Sequence, residues 1–173
     1  MRVTAAFCVF AASAACSPFV TELEADPLQT ASAYIGLEER ANRQELKQLM
    51  SVDPVRYEWC AAFVNAILEL DNIPNLNSIE HPYPLLARAY LEWGETVARP
   101  DIQRGDIVIF PRGTAGWQGH VGFYVETEIV DGVEHWVILG GNQDQSVSYG
   151  LFAANHALGI RRWNQPLSVD DSS

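Results

Sequence analysis

The sequence predicts one α+β domain in which N-terminal helices pack on an antiparallel β-sheet. Three patterns carry that expectation. Apolar residues recur at three- and four-residue steps through the N-terminal half, whereas from residue 106 onward they alternate with period two. Between two of the alternating runs stands Asp131-Gly132, a dipeptide suited to a tight hairpin turn because both positions tolerate positive φ. Finally, 173 residues with 48% hydrophobic content and five Trp suffice for one sizeable core, and no internal repeat divides the chain.

Taken in order, Asp26-Pro27 is a helix entry, and residues 28–37 and 42–50 read as helices joined near Gly36. Residues 51–56, with Asp53-Pro54, form the loop into an apolar helix that begins near Cys60. Residues 72–84 are rich in Pro and Asn and read as a surface segment. Helical spacing resumes over residues 85–93 through Leu86, Ala89, Tyr90 and Trp93, with Gly94 as the stop. Strands are expected at residues 106–110, 121–127, 134–139 and 158–163.

The chemistry centres on Glu58-Trp59-Cys60, which sets a thiol at the start of a helix. The N–H fringe and positive dipole end there favour a thiolate, so a pKa below the ordinary value of about 8.5 is expected when a basic partner assists. Alternatively Cys60 is a small core hydrophobe, since Phe63, Ile67 and Leu70 follow it at helical steps. Two downstream residues favour the working thiol. His120, flanked by Gly119 and Gly122, opens a strand, and Asn142, after Gly140-Gly141, ends the next one. In this arrangement Cys60 is the nucleophile, His120 the general base and acid, and Asn142 the acceptor that fixes the imidazole tautomer, the constellation of a papain-like cysteine hydrolase. Asn142 also suits a plain turn, because Asn tolerates a left-handed backbone.

Four further residues are candidates for the oxyanion hole or the cleft wall: Tyr57, Trp59, Trp117 and Gln143. Tyr57 precedes Cys60 by one turn and suits an oxyanion donor, a gate or the core alike. Trp117 lies in the glycine-rich segment 113–119, which suits a cleft rim or an exposed loop. Gln143 and Asp144 compete with Asn142 for the orienting role, and Asp106 reads as turn chemistry entering a strand. His81, His135 and His156 show no metal-ligand spacing, so neither a metal nor a cofactor is expected.

Four short blocks occur in a fixed order: Trp59-Cys60-Ala61-Ala62-Phe63, Gly105-Asp106-Ile107-Val108, Gly119-His120-Val121-Gly122 and Gly140-Gly141-Asn142-Gln143. Together they resemble the NlpC-like and CHAP superfamily of bacterial cell-wall cysteine amidases and peptidases, over roughly residues 30 to 163. The resemblance implies a papain-like α+β fold, Cys60, His120 and Asn142 as the catalytic set, and peptidoglycan as substrate, cut at a peptide or amide bond through a thioester. One departure stands out: many members carry Asp or Gln before the nucleophile and His or Glu as third residue. Two other readings are a non-enzymatic cell-wall binding module and a cysteine hydrolase or acyltransferase acting on protein.

Residues 1–20 read as a signal segment, with Arg2 as the only charge before Glu22, an apolar middle, and small residues ahead of Cys16. Cleavage near Ala14 or Ala15, or lipidation of Cys16 with attachment to a membrane, are the two expected outcomes, and either implies export to the periplasm or outer membrane. The remaining chain divides into a hydrolase domain at residues 21–166 and a disordered tail at residues 167–173. Once Cys8 leaves and Cys16 is lost or lipidated, Cys60 is the one thiol of the domain. A formal net charge of −11 argues against nucleic acid as a partner.

Overall fold

The computed structural model describes residues 25–164. The expected signal segment, Cys8, Cys16 and the C-terminal tail therefore lie outside the described residues.

Three α-helices come first. The carboxylate of Asp26 accepts from the Gln29 N–H at 3.2 Å and, with Pro27 in the first turn, starts α1 (Pro27–Ser32). Helix α2 (Arg43–Met50) ends on Ser51, whose φ of 57° turns the chain out of the helix. Helix α3 (Cys60–Leu70) is buried at every position from Cys60 to Leu68. A helix apolar all round belongs inside the molecule. The one polar residue of that buried stretch, Asn65, is satisfied there: it donates to the Pro84 carbonyl at 2.8 Å and accepts from the Leu76 N–H at 3.1 Å and the Tyr90 hydroxyl at 2.6 Å.

The expected helix at residues 85–93 is instead a 3₁₀ segment, Ala87–Glu92. Its side chains are tied at two points, by Tyr90 to Asn65 and by the Trp93 indole N–H to the Pro74 carbonyl at 2.7 Å. With extended residues at both ends, Leu86 and Trp93, the segment holds a tighter, shorter coil than its apolar spacing suggests.

Six strands then form one antiparallel sheet: β1 (Glu95–Thr96), β2 (Ile107–Pro111), β3 (Gly119–Val130), β4 (Val133–Gln143), β5 (Ser146–Ala153) and β6 (Gly159–Arg162), in the order β1-β6-β2-β3-β4-β5. The molecule is thus α+β with helices leading and the sheet following, as the sequence predicts. Asp131 and Gly132, with φ of 52° and 76°, make the β3–β4 turn between the paired residues Val130 and Val133. Strands β1 and β5 go beyond the sequence reading.

Both faces of the sheet are buried. Val121, Phe123, Val125 and Leu139 join the helices in the main core. On the opposite face Val108, Phe110, Tyr124, Trp136, Ile138 and Ile160 form a second cluster, closed by Val97, Ile102 and Phe152. The bare backbone of Gly141 lets β4 press against α3, since a Cβ there would lie 2.5 Å from the Trp59 ring and 2.7 Å from Phe63 Cβ.

Candidate active site

Helix α3 places Cys60 at its first position, 3% exposed and within the main core. The backbone N–H groups of Val121 and Ala61 and the Arg112 guanidinium favour its thiolate. Burial outweighs all three and pushes the thiol pKa up. The expectation of a lowered pKa is thereby corrected: at a helix N-terminus this deeply covered, the lost hydration of a thiolate exceeds what two N–H groups and one cation return.

His120 heads β3, paired with Phe110 of β2, and is likewise 3% exposed. Its ring stacks on Phe152 at 5.3 Å between centroids and 13° between planes, and Phe152 in turn stacks on Phe110. The imidazole therefore lies against the second core, whereas Cys60 belongs to the first. Val121, whose N–H favours the thiolate, is the residue next to His120, and successive side chains of a strand face opposite sides of the sheet. The β3–β4 pairing reaches only to Phe123 and Leu139, and past these positions the register of β4 is irregular through Gln143. Neither ring nitrogen of His120 has a hydrogen-bond partner. Burial first, and the Arg112 charge second, lower the His120 pKa to about 4, with the Gln143 side chain acting in the opposite sense. Thiol and imidazole both rest in their neutral forms.

This burial has a pH consequence with a definite sign. Because the folded pKa of about 4 lies below the ordinary histidine value of 6.5, the unfolded chain binds more protons between these two values. Stability is full above pH 6.5 and is expected to fall by on the order of 3 kcal/mol as pH drops through that window. Urea unfolding across pH 7 to 4 checks this; a His120→Gln variant is expected to lose that part of the slope.

Asn142 has φ of 59°, the left-handed backbone its type tolerates. Its side-chain amide donates to Glu58 Oε2 at 2.6 Å, and Arg112 reaches the same carboxylate at 3.4 Å and the Asn142 carbonyl at 3.3 Å. Asn142, Glu58 and Arg112 thus tie the entry to α3 to the ends of β2 and β4. No hydrogen bond joins Asn142 to the imidazole.

A cleft of about 310 Å³ opens beside His120, walled by Arg112, Asn142, Gln143, Asp144, Tyr149 and Phe152 among others. Cys60 is not on this wall. Of the four oxyanion or cleft candidates, Gln143 lines the cleft, while Tyr57 and Trp117 are 58% and 62% exposed away from it. Trp59 is fully buried, edge-on to Phe63, with its indole N–H directed to Glu39 at 3.4 Å. Asp106 is structural: it accepts from the Arg162 guanidinium at 2.6 and 2.8 Å and from the Gln103 N–H at 2.7 Å. A larger cavity of about 510 Å³ surrounds that pair and includes neither Cys60 nor His120.

No family model matches the chain, and no curated protein matches it. Among solved structures it is similar to an NlpC/P60 family protein from Bacillus cereus ATCC 10987, with 18% identity and a TM-score of 0.47. That alignment covers 80% of this chain and 39% of the other, so the chain spans about two fifths of that protein's length.

Proposed function

We propose that the protein is a cysteine amidohydrolase or peptidase that cleaves a peptide or amide bond of peptidoglycan. The observation that carries the reading is the placement of Cys60 at the N-terminus of α3, where backbone N–H groups favour its thiolate, with His120 on the strand packed beside that helix. The step requires the imidazole to leave the second core and reach the sulfur; the neutral thiol then gives its proton to His120 as it attacks the carbonyl, and the N–H groups of the helix start stabilise the oxyanion. His120 then protonates the leaving amine, and water hydrolyses the thioester. The four sequence blocks supply the substrate class. Mass spectrometry of muropeptides after digestion with purified protein tests it: new fragments appear with wild type and none with Cys60→Ala.

The placement of the thiol and the imidazole in different cores favours one competing reading, a module that binds cell wall without turnover. Retention on purified wall material after Cys60 alkylation, with no fragments from the unmodified protein, would establish it.

Export belongs to the proposal as well. Arg2, the apolar middle and the small residues before Cys16 suit a signal peptidase. Intact-mass analysis from the native envelope is expected to show a chain starting between Ala15 and Ser17, diacylglyceryl-modified if Cys16 is the first residue. Retention of Met1 would refute export and favour the hydrolase acting on protein.

A further inference from the structure

The cavity of about 510 Å³ around the Asp106–Arg162 pair takes no part in the chemistry above. Part of its wall is apolar, supplied by Leu68, Ile73 and the indoles of Trp93 and Trp163, whose rings lie 6.0 Å apart at 35°. The charged part sets three arginines, Arg104, Arg161 and Arg162, against two carboxylates, Asp26 and Asp106. Both carboxylates are already engaged: Asp106 holds Arg162 with its two oxygens, and Asp26 caps α1. Arg104 and Arg161 have no carboxylate partner among the described residues. In a chain of formal net charge −11, this wall has the opposite sign to the molecule as a whole.

Arg161 is held in place by its surroundings. On β6 it pairs with Thr96 of β1 and with Ile107 of β2, so strands on both sides fix its backbone. One terminal nitrogen donates to Thr96 Oγ1 at 2.6 Å and orients the guanidinium. Its Nε is buried and meets no acceptor. A buried N–H on a charged group is ordinarily paired, because leaving it unmet costs its lost hydration in full. The cavity thus offers a fixed cationic donor, a second cation in Arg104 and an aromatic surface beside them.

We propose that this cavity binds a small molecule that carries one carboxylate on an apolar, ring-bearing body. The carboxylate lies on Arg161 and Arg104, and the body rests against Trp93 and Trp163. A carboxylate is the planar acceptor that matches a guanidinium fork. One negative charge also balances the single positive charge by which the three arginines exceed the two carboxylates, whereas a phosphate dianion overshoots it. The volume falls within the range of small-molecule sites, roughly 300–1,000 Å³. The proposal is independent of the cysteine-hydrolase reading, since neither Cys60 nor His120 lines the cavity.

The probe is 3-phenylpropionate, titrated into ¹⁵N-labelled full-length protein at pH 7 and physiological salt. The Arg161 Nε–H resonance, assigned by its loss in Arg161→Met, and the Trp163 indole N–H resonance are expected to shift together, with a Kd of about 1 mM or tighter. 3-Phenylpropionamide keeps the body without the charge and is expected to bind at least about ten-fold more weakly. Arg161→Met weakens binding of the carboxylate by about ten-fold or more, and Arg104→Gln, an exposed substitution that leaves the core intact, by about three-fold. Cys60→Ala binds the probe as wild type does. An unmoved Arg161 resonance at about 10 mM probe overturns the proposal. Equal binding of the amide, shifts confined to the cleft beside His120, or wild-type affinity in Arg104→Gln and Arg161→Met alike do the same. If Arg161→Met does not fold, Arg104→Gln and the amide comparison decide. A failure to cut muropeptides bears on the hydrolase reading alone.

Discussion

Cys60→Ala is expected to lower peptidoglycan turnover by about 10⁴-fold or more while the protein stays folded. The substitution removes the nucleophile, and no other thiol exists among the described residues to replace it. Its structural cost is small: one sulfur leaves the first turn of α3, where Ala suits the helix, and the space vacated in the core amounts to about 1 kcal/mol. Fragment yield against time, measured beside a circular dichroism spectrum and a urea midpoint, separates loss of chemistry from loss of fold. Turnover near the wild-type rate in a folded Cys60→Ala protein would exclude the thiol as nucleophile.

Asp106→Ala is expected to have the largest effect on stability, about 3 kcal/mol. The Asp106 side chain is 2% exposed, and its removal leaves the Arg162 guanidinium, itself 28% exposed, without its ion-pair partner. It also strips the Gln103 N–H of its acceptor, so a backbone donor at the entry to β2 loses its partner. Urea unfolding measures the loss. Asp106→Leu combined with Arg162→Met should recover much of it, because a matched apolar pair leaves no charge unpaired. Because the ion pair lies outside the cleft that holds His120, the pH dependence of Cys60 alkylation should match wild type in both variants.

The sequence made the order of helices and sheet legible, because the switch from helical spacing to alternation falls where the backbone itself changes. It also marked the Asp131-Gly132 turn and the starts of α2 and α3. What escaped depended on contacts distant in sequence. Strand β5 was hidden by Gly150, a residue that ordinarily weakens a strand interior and whose missing side chain here makes room for Gln143. The 3₁₀ coil at Ala87–Glu92 is held by Asn65 and Pro74, residues that no local spacing connects to it. At the site, the Cys60, His120 and Gly-Gly-Asn-Gln blocks were visible as types in order. The burial that raises the thiol pKa, and the choice of Asn142 for Glu58, are properties of the packed molecule. The irregular β4–β5 step likewise shifts the register by an amount that simple alternation does not encode.

The depth of Cys60 also bears on how long the protein lasts. Peroxide attacks a thiolate that it can reach, and a protonated sulfur with 3% of its residue surface open meets neither condition. At rest the sulfur is thus shielded from the climb through sulfenic to sulfonic acid. Whatever uncovers it for a substrate uncovers it for an oxidant too, so damage accumulates with cycles of use rather than with time in storage.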